Sequence, residues 1–233
     1  MTTFYQAGLI LGMLQGVYDG DVSFKTLAEH GDTGLGTLNG VDGEMIAVDG
    51  TFYRVDVNGV ASVIGDSALT PFSVVAKFQP TIAVPVEHIA TIQDLNAVLD
   101  KHLPTKNIFY MIRIDGQFAW LSVRSESCQT GSRKPLAETL PKLQKTYELK
   151  NMAGSVVTTC CPSYSAGFTI PGYHHHFIDQ ARTTGGHVFD LRLTSGKVMI
   201  TPLRSFNLVL FNSQEFDAAD LQVDASAALS KTE

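Results

Sequence analysis

EMIAVDGTFYRVDVNGVASVI, residues 44–64, holds three apolar runs separated by Asp49-Gly50 and Asn58-Gly59. Those two dipeptides supply the positive-φ residues that tight hairpin turns demand. The runs between them, EMIAV, TFYRVDV and VASVI, are rich in β-branched and aromatic residues, which suit a pleated, half-buried surface. Together they predict a three-strand antiparallel meander.

Outward from the meander the texture is mixed. Residues 4–16 predict a short helix, and SFKTLAEH at 23–30 predicts a second with Ser23 as its N-cap. SVVAKF after Pro71 reads as a strand, and TIQDLNAVLDKH at 91–102 as a helix with Leu95 and Leu99 four apart. NIFYMIRI and QFAWLSVR flank Asp115-Gly116 and predict another hairpin. Residues 136–149 predict a helix, 153–211 mainly strands, and the tail FDAADLQVDASAALSKTE a helix that then frays. Strands and helices do not alternate regularly, so the expected class is α+β, with mixed and antiparallel sheets and a few flanking helices. The expected division is an N-terminal sheet domain over 1–150 and a C-terminal β domain over 151–233.

Composition narrows the possible partners. The 233 residues are 44% hydrophobic and 17% charged, with a formal net charge of −6, enough chain to bury a core without covalent staples. The 17 Lys and Arg are scattered rather than striped, which argues against a nucleic-acid partner. No apolar run approaches the length a bilayer span needs, so no membrane partner is expected. Three cysteines, two of them adjacent (Cys160 and Cys161), fit neither a disulfide framework nor a C-x-x-C thiolate site. They read as buried apolar residues of a cytoplasmic protein.

The chemistry concentrates in GYHHHFIDQARTTGGH, residues 172–187, which carries four of the seven histidines. On a strand, successive side chains alternate between faces, so His174 and His176 share one face and His175 takes the other. The turn-prone Thr183-Thr184-Gly185-Gly186 allows a returning strand to bring His187 opposite His176. Three neutral imidazoles on such a hairpin suit a catalytic Zn²⁺ site with an open position. A polar patch on an exposed strand is the plain alternative. The FIDQA that follows lacks the glutamate of a cupin-type site, while a zinc hydratase or hydrolase and a non-catalytic small-molecule-binding protein both remain open.

GYHHHFIDQARTTGGHVFDL closely resembles the histidine segment of the α-acetolactate decarboxylases, with its G-Y-H-x-H-F and later Gly-Gly-His. Residues 4–53 resemble that family's N-terminal block, and MIRIDGQFAWLSVRS at 111–125 its central one. The resemblance implies a zinc enzyme converting (S)-2-acetolactate, a 2-hydroxy-3-oxo acid, to (R)-acetoin and CO₂ on the acetoin and butanediol route, and a homodimer. It implies His174, His176 and His187 as metal ligands, and Glu44, Arg124, Glu233 and Thr37 as catalytic-site residues. Read as residues alone, Glu44 is also a charge at a strand start and Arg124 the end of a hairpin strand, with Arg113 near enough to compete. SESCQTGSRKPL, following Arg124, departs from the family's P-x-Q-x-x-P-Y texture.

The implied chemistry is coherent. A β-keto acid losing CO₂ leaves an electron pair behind, and Zn²⁺ would stabilise the enediolate as a Lewis acid. One-sided protonation then requires a positioned acid, with Glu44 and Glu233 candidates for proton transfer and Arg124 a group that orients the leaving carboxylate or helps deliver the proton. No organic cofactor is implied, and HGDTGLGTLNGVDGE lacks both phosphate-loop patterns.

Overall fold

Residues 2–130 and 134–223 are described by the structure, a computed structural model. Along the chain run β1 (Thr3–Ala7), α1 (Ile10–Leu14), β2 (Val22–Ser23), α2 (Phe24–His30), β3 (Thr33–Thr37), β4 (Glu44–Val48), β5 (Thr51–Val55) and β6 (Ala61–Val63). There follow β7 (Leu69–Thr70), β8 (Ser73–Ala76), β9 (Ile82–Ile89), α3 (Ile92–Asp100), β10 (Phe109–Glu126) and α4 (Leu136–Leu143). The last elements are β11 (Gln144–Cys161), β12 (Gly172–Asp179), β13 (Gly185–Leu203), β14 (Ser205–Val209) and α5 (Gln214–Ala218). The class is α+β.

The meander forms as β4, β5 and β6, with Asp49 and Gly50 at φ 53° and 79° closing the first turn. It belongs to a seven-stranded sheet ordered β14-β1-β8-β3-β4-β5-β6, in which only the β1–β14 pair is parallel. Strand alternation gives this sheet two different faces. Met45, Ala47 and Phe52 pack with Phe24 and Leu27 of α2, whose N-cap Ser23 accepts from Thr26 N. Ile46, Val48 and Val74 face the other way, in one cluster with Met111, Val157 and Ile178 of the second sheet.

The second sheet runs β10-β11-β12-β13-β9, and β10 also pairs with β13. The pairings β10–β11, β11–β12, β12–β13 and β13–β10 are cyclic, so these four strands close on themselves around Ile112, Ile114, Phe118, Leu121 and Val198. Helix α3, capped by Thr91, adds Leu95 and Leu99 to this core. Both leucines are fully buried, each contributing about 1.5–3 kcal/mol.

Four local expectations are corrected. Residues 4–7 are strand, because Phe4 to Ala7 find backbone partners in β14 and β8 takes the other edge; only 10–14 is helical. Asp115-Gly116 makes no turn. Strand β10 runs straight through it, flanked by β11 and β13, and a Cβ on Gly116 would lie 2.6 Å from Ser195 O. That glycine answers close strand approach rather than positive φ. The helix over 136–149 stops at Leu143, and residues 144–149 pair with β10. In the tail, α5 covers only Gln214–Ala218, and residues beyond 223 lie outside the described ones. The division anticipated near residue 150 falls inside β11. The expectation of buried cysteines holds for Cys161, while Cys160 is intermediate and Cys128 exposed.

Register shifts in β10 position the site. Its core residues are even-numbered through Phe118 and odd-numbered at Leu121 and Val123, with irregularities against β13 between Gln117 and Trp120 and after Ser122. A bulge of this kind re-aims the side chains beyond it. Arg124 and Glu126 consequently face the seven-stranded sheet.

Candidate active site

Strand β12 lies antiparallel to β13 with His176 opposite His187. His174 and His176 point into the gap between the sheets and meet His187 there. His174 Nε2 lies 3.1 Å from His187 Nδ1 and 3.1 Å from His176 Nε2. One nitrogen from each of the three rings falls within 4.8 Å of the others, and all three residues are buried. His175 takes the opposite face, where Nδ1 pairs with Thr158 Oγ1 at 2.7 Å and Nε2 with Asn96 Oδ1 at 3.0 Å.

The donor set fits a metal ion. Burial is the main cause that holds all three imidazoles below their usual proton affinity, His176 down to about 3, with Arg124 and the neighbouring rings adding repulsion. The rings are therefore neutral at neutral pH, as metal ligands must be. His176 Nδ1 donates to Met45 O at 2.9 Å, which leaves Nε2 a lone pair aimed at the cluster. Nitrogen separations of 3.1 Å are close to the roughly 3.3 Å edge of a tetrahedral site with metal–nitrogen bonds near 2.0–2.1 Å.

A charged wall faces the histidines. Glu44, first residue of β4, shares the face of Ile46 and Val48, and its Oε2 is 3.2 Å from His176 Nε2. Arg124 comes from β10, where it is paired with His187 across the strands. Its Nε is 3.7 Å from Glu44 Oε1, its Nη1 donates to Gln144 Oε1 at 3.3 Å, and its guanidinium lies 5.1 Å from the centre of the Phe189 ring. Thr37 is Glu44's partner across β3 and β4, and its hydroxyl donates to Gly43 O at 2.6 Å. Glu44, Thr37, Arg124 and the three histidines line one small cavity of about 40 Å³. A second cavity, of about 210 Å³, borders His174 and His187 from the side of Ile92, Asn96 and Tyr173.

Other sequence candidates stand elsewhere. Arg113 is held by Asp115 at 2.7 Å and Asp49 at 2.6 Å, in a separate polar cleft of about 530 Å³ with Arg182 and Lys197. Glu233 lies outside the described residues. Glu126, absent from the sequence reading, is buried and lines the same cavity as Glu44. Its one available signal was position: it lies two residues beyond Arg124 on the same strand and so on the same face.

Known proteins resemble the chain over nearly its whole length. The family model described as alpha-acetolactate decarboxylase matches residues 4–223. Proteins of that name from Methylococcus capsulatus and Methanosarcina mazei are 37% and 35% identical to the chain over 229 residues. Both alignments take in 98% of this chain, with 88% and 79% of those proteins. The crystal structure of alpha-acetolactate decarboxylase from Bacillus subtilis strain 168 superposes with a TM-score of 0.96 at 34% identity, covering 99% of each chain. A Staphylococcus aureus protein of unknown function described as similar to that enzyme superposes with a TM-score of 0.92 at 25% identity, covering 99% of this chain and 98% of its own. The chain belongs to the alpha-acetolactate decarboxylase family.

Proposed function

We propose that this chain decarboxylates (S)-2-acetolactate to (R)-acetoin and CO₂ on a Zn²⁺ ion held by His174, His176 and His187. The observation that carries the reading is the convergence of three neutral, buried imidazoles with a carboxylate and a guanidinium in one enclosed space. When bound, the zinc ion supplies Lewis-acid charge that draws off the electron pair left by departing CO₂.

The chain's own groups do the rest. Arg124 offers a fixed planar fork to the substrate carboxylate. Phe189, lying against the guanidinium, covers it and keeps water from competing for the same donors. Glu44, 3.2 Å from His176 Nε2, stands at the edge of the ligand set and delivers a proton to one face of the carbon that has lost CO₂. Thr37 holds the turn that feeds Glu44 into the site through its bond to Gly43 O. The test is incubation of zinc-loaded protein with racemic 2-acetolactate and chiral analysis of the product. (R)-acetoin above the spontaneous rate is expected; a racemic product at the spontaneous rate would refute the reading.

A further inference from the structure

His187 reaches the histidine cluster from a short, weakly stiffened stretch of chain. The β12–β13 ladder pairs His176 with His187, Phe177 with Gly186 and Ile178 with Gly185. Two of its β13 residues are thus glycines, which lose more conformational freedom on ordering than any other residue. Close packing dictates both. A Cβ on Gly185 would run into Phe177 O, and one on Gly186, at φ 143°, would lie 2.5 Å from Arg124 O. A metal site needs its ligands held by their supporting groups, so the chain leading to His187 has to be fixed by contacts from elsewhere.

Three sets of contacts fix it. At the start of the turn, buried Asp179 accepts from Thr183 N at 2.6 Å, Thr184 N at 3.0 Å and Thr183 Oγ1 at 2.9 Å. At the crest, Thr183 O accepts from the backbone N–H of Ala61, the first residue of β6, at 2.9 Å. At the exit, the Tyr147 hydroxyl donates to Gly185 O at 2.6 Å. Of the three, only the Tyr147 bond reaches the Gly-Gly pair.

The placement of Tyr147 allows that reach. It stands on β11 opposite Val123 of β10, and Val123 pairs on its other side with Val188, the residue after His187. The phenol therefore crosses β10 to arrive two residues ahead of His187. Its ring rests against the Asn58-Gly59 turn of the meander, where a Cβ on Gly59 would lie 2.9 Å from two of the ring carbons. One side chain thus joins the seven-stranded sheet, β11 and the histidine hairpin.

We infer that Tyr147 is a positioning residue for the metal site: its hydroxyl fixes Gly185 and so holds His187 where His174 and His176 converge. The inference rests on the reading of these histidines as metal ligands. It gives Tyr147 no contact with substrate and no part in proton transfer.

Tyr147→Phe removes the hydroxyl and keeps the ring against Gly59. Tyr110→Phe is the matched control, because the Tyr110 hydroxyl also donates to a main-chain carbonyl, Thr105 O at 2.6 Å, in the loop between α3 and β10. Wild type and both variants are compared by three measurements: the zinc dissociation constant from competition with a chelating dye, the visible spectrum of the cobalt(II)-substituted protein, and the urea midpoint of the metal-free protein. The expected result is a zinc dissociation constant raised about 10-fold in Y147F, with a shifted cobalt spectrum. Y110F is expected to keep the wild-type zinc affinity and cobalt spectrum, although its urea midpoint falls as much as that of Y147F. Wild-type zinc affinity and cobalt spectrum in Y147F would overturn the inference. So would equal weakening in Y110F, or a Y147F protein unfolded without metal, since either makes the effect one of general stability. Wild type that binds no zinc on the three histidines sinks the metal reading and this inference together; zinc-binding wild type beside an unaffected Y147F sinks only the inference.

Discussion

His175 and its two neighbours are identical residues on one strand, all buried, yet they serve opposite faces of β12. His174 and His176 meet His187 and the Glu44–Arg124 wall across the gap between the sheets. His175 closes a local network with Thr158 and Asn96 and stacks beside Tyr173, ring centres 5.8 Å apart. Burial alone therefore does not distinguish a ligand from a structural histidine. The distinction lies in what faces each ring: other imidazoles and a carboxylate on one side, a hydroxyl and an amide that satisfy both nitrogens on the other.

The largest effects are expected on the ligand face. Substituting His174, His176 or His187 singly by Ala is expected to lower both zinc content and acetoin formation, with zinc affinity down by at least about 10–100-fold, the scale of lost ligand support. His175→Ala is expected to keep its zinc. Metal analysis by plasma mass spectrometry checks both, and equal zinc loss in all four variants would erase the distinction between the faces.

Next in size is the charged wall. Arg124→Ala removes a preorganised charge that faces Glu44, so kcat/KM is expected to fall by about 10²–10³. Arg113→Ala, in the other cleft, is expected to leave kcat/KM unchanged. Steady-state kinetics on the pair decides which arginine serves the histidines; equal losses would count against the assignment.

On the opposite face of β12 the effect is on stability alone. His175→Ala deprives Thr158 and Asn96 of their partner and is expected to cost about 1–3 kcal/mol in denaturant unfolding. A variant as stable as wild type would show that this network contributes nothing.

How far such assignments can be read from sequence depends on whether the cause is local. The alternation separating His175 from His174 and His176 needs only a strand. The Asp49-Gly50 turn needs only two residues tolerant of positive φ, and it forms as read. Asp115-Gly116 carries the same local signal, but there β11 and β13 supply hydrogen bonds on both sides and the strand continues. Residues 4–7 and 144–149 likewise became strands because distant partners were available. Glu126 was legible only relative to Arg124, because the aim of both depends on register shifts in β10 that no short motif encodes.

The contrast between the two Asp-Gly pairs gives effects no larger than that of His175→Ala. Gly116→Ala places a Cβ 2.6 Å from Ser195 O, an overpacking expected to cost about 1–3 kcal/mol. Gly50→Ala meets nothing within 4 Å but keeps φ at 79°, which costs about 1–2 kcal/mol. Thermal unfolding of the two variants checks this. Relief of the Gly116→Ala loss by trimming Leu193, whose Cδ1 would lie 2.7 Å from the new Cβ, would mark side-chain crowding rather than backbone approach as the cause.

Under the proposed function, the three-histidine cluster is the seat of the decarboxylation. Its most direct test is acetoin formation from 2-acetolactate by one protein preparation, measured as purified, after removal of metal by a chelator, and after return of stoichiometric Zn²⁺. Activity is expected to disappear with the metal and return with it, in wild type but not in His176→Ala. Folded wild type carrying one zinc per chain on these histidines and making no acetoin above the spontaneous rate would contradict it.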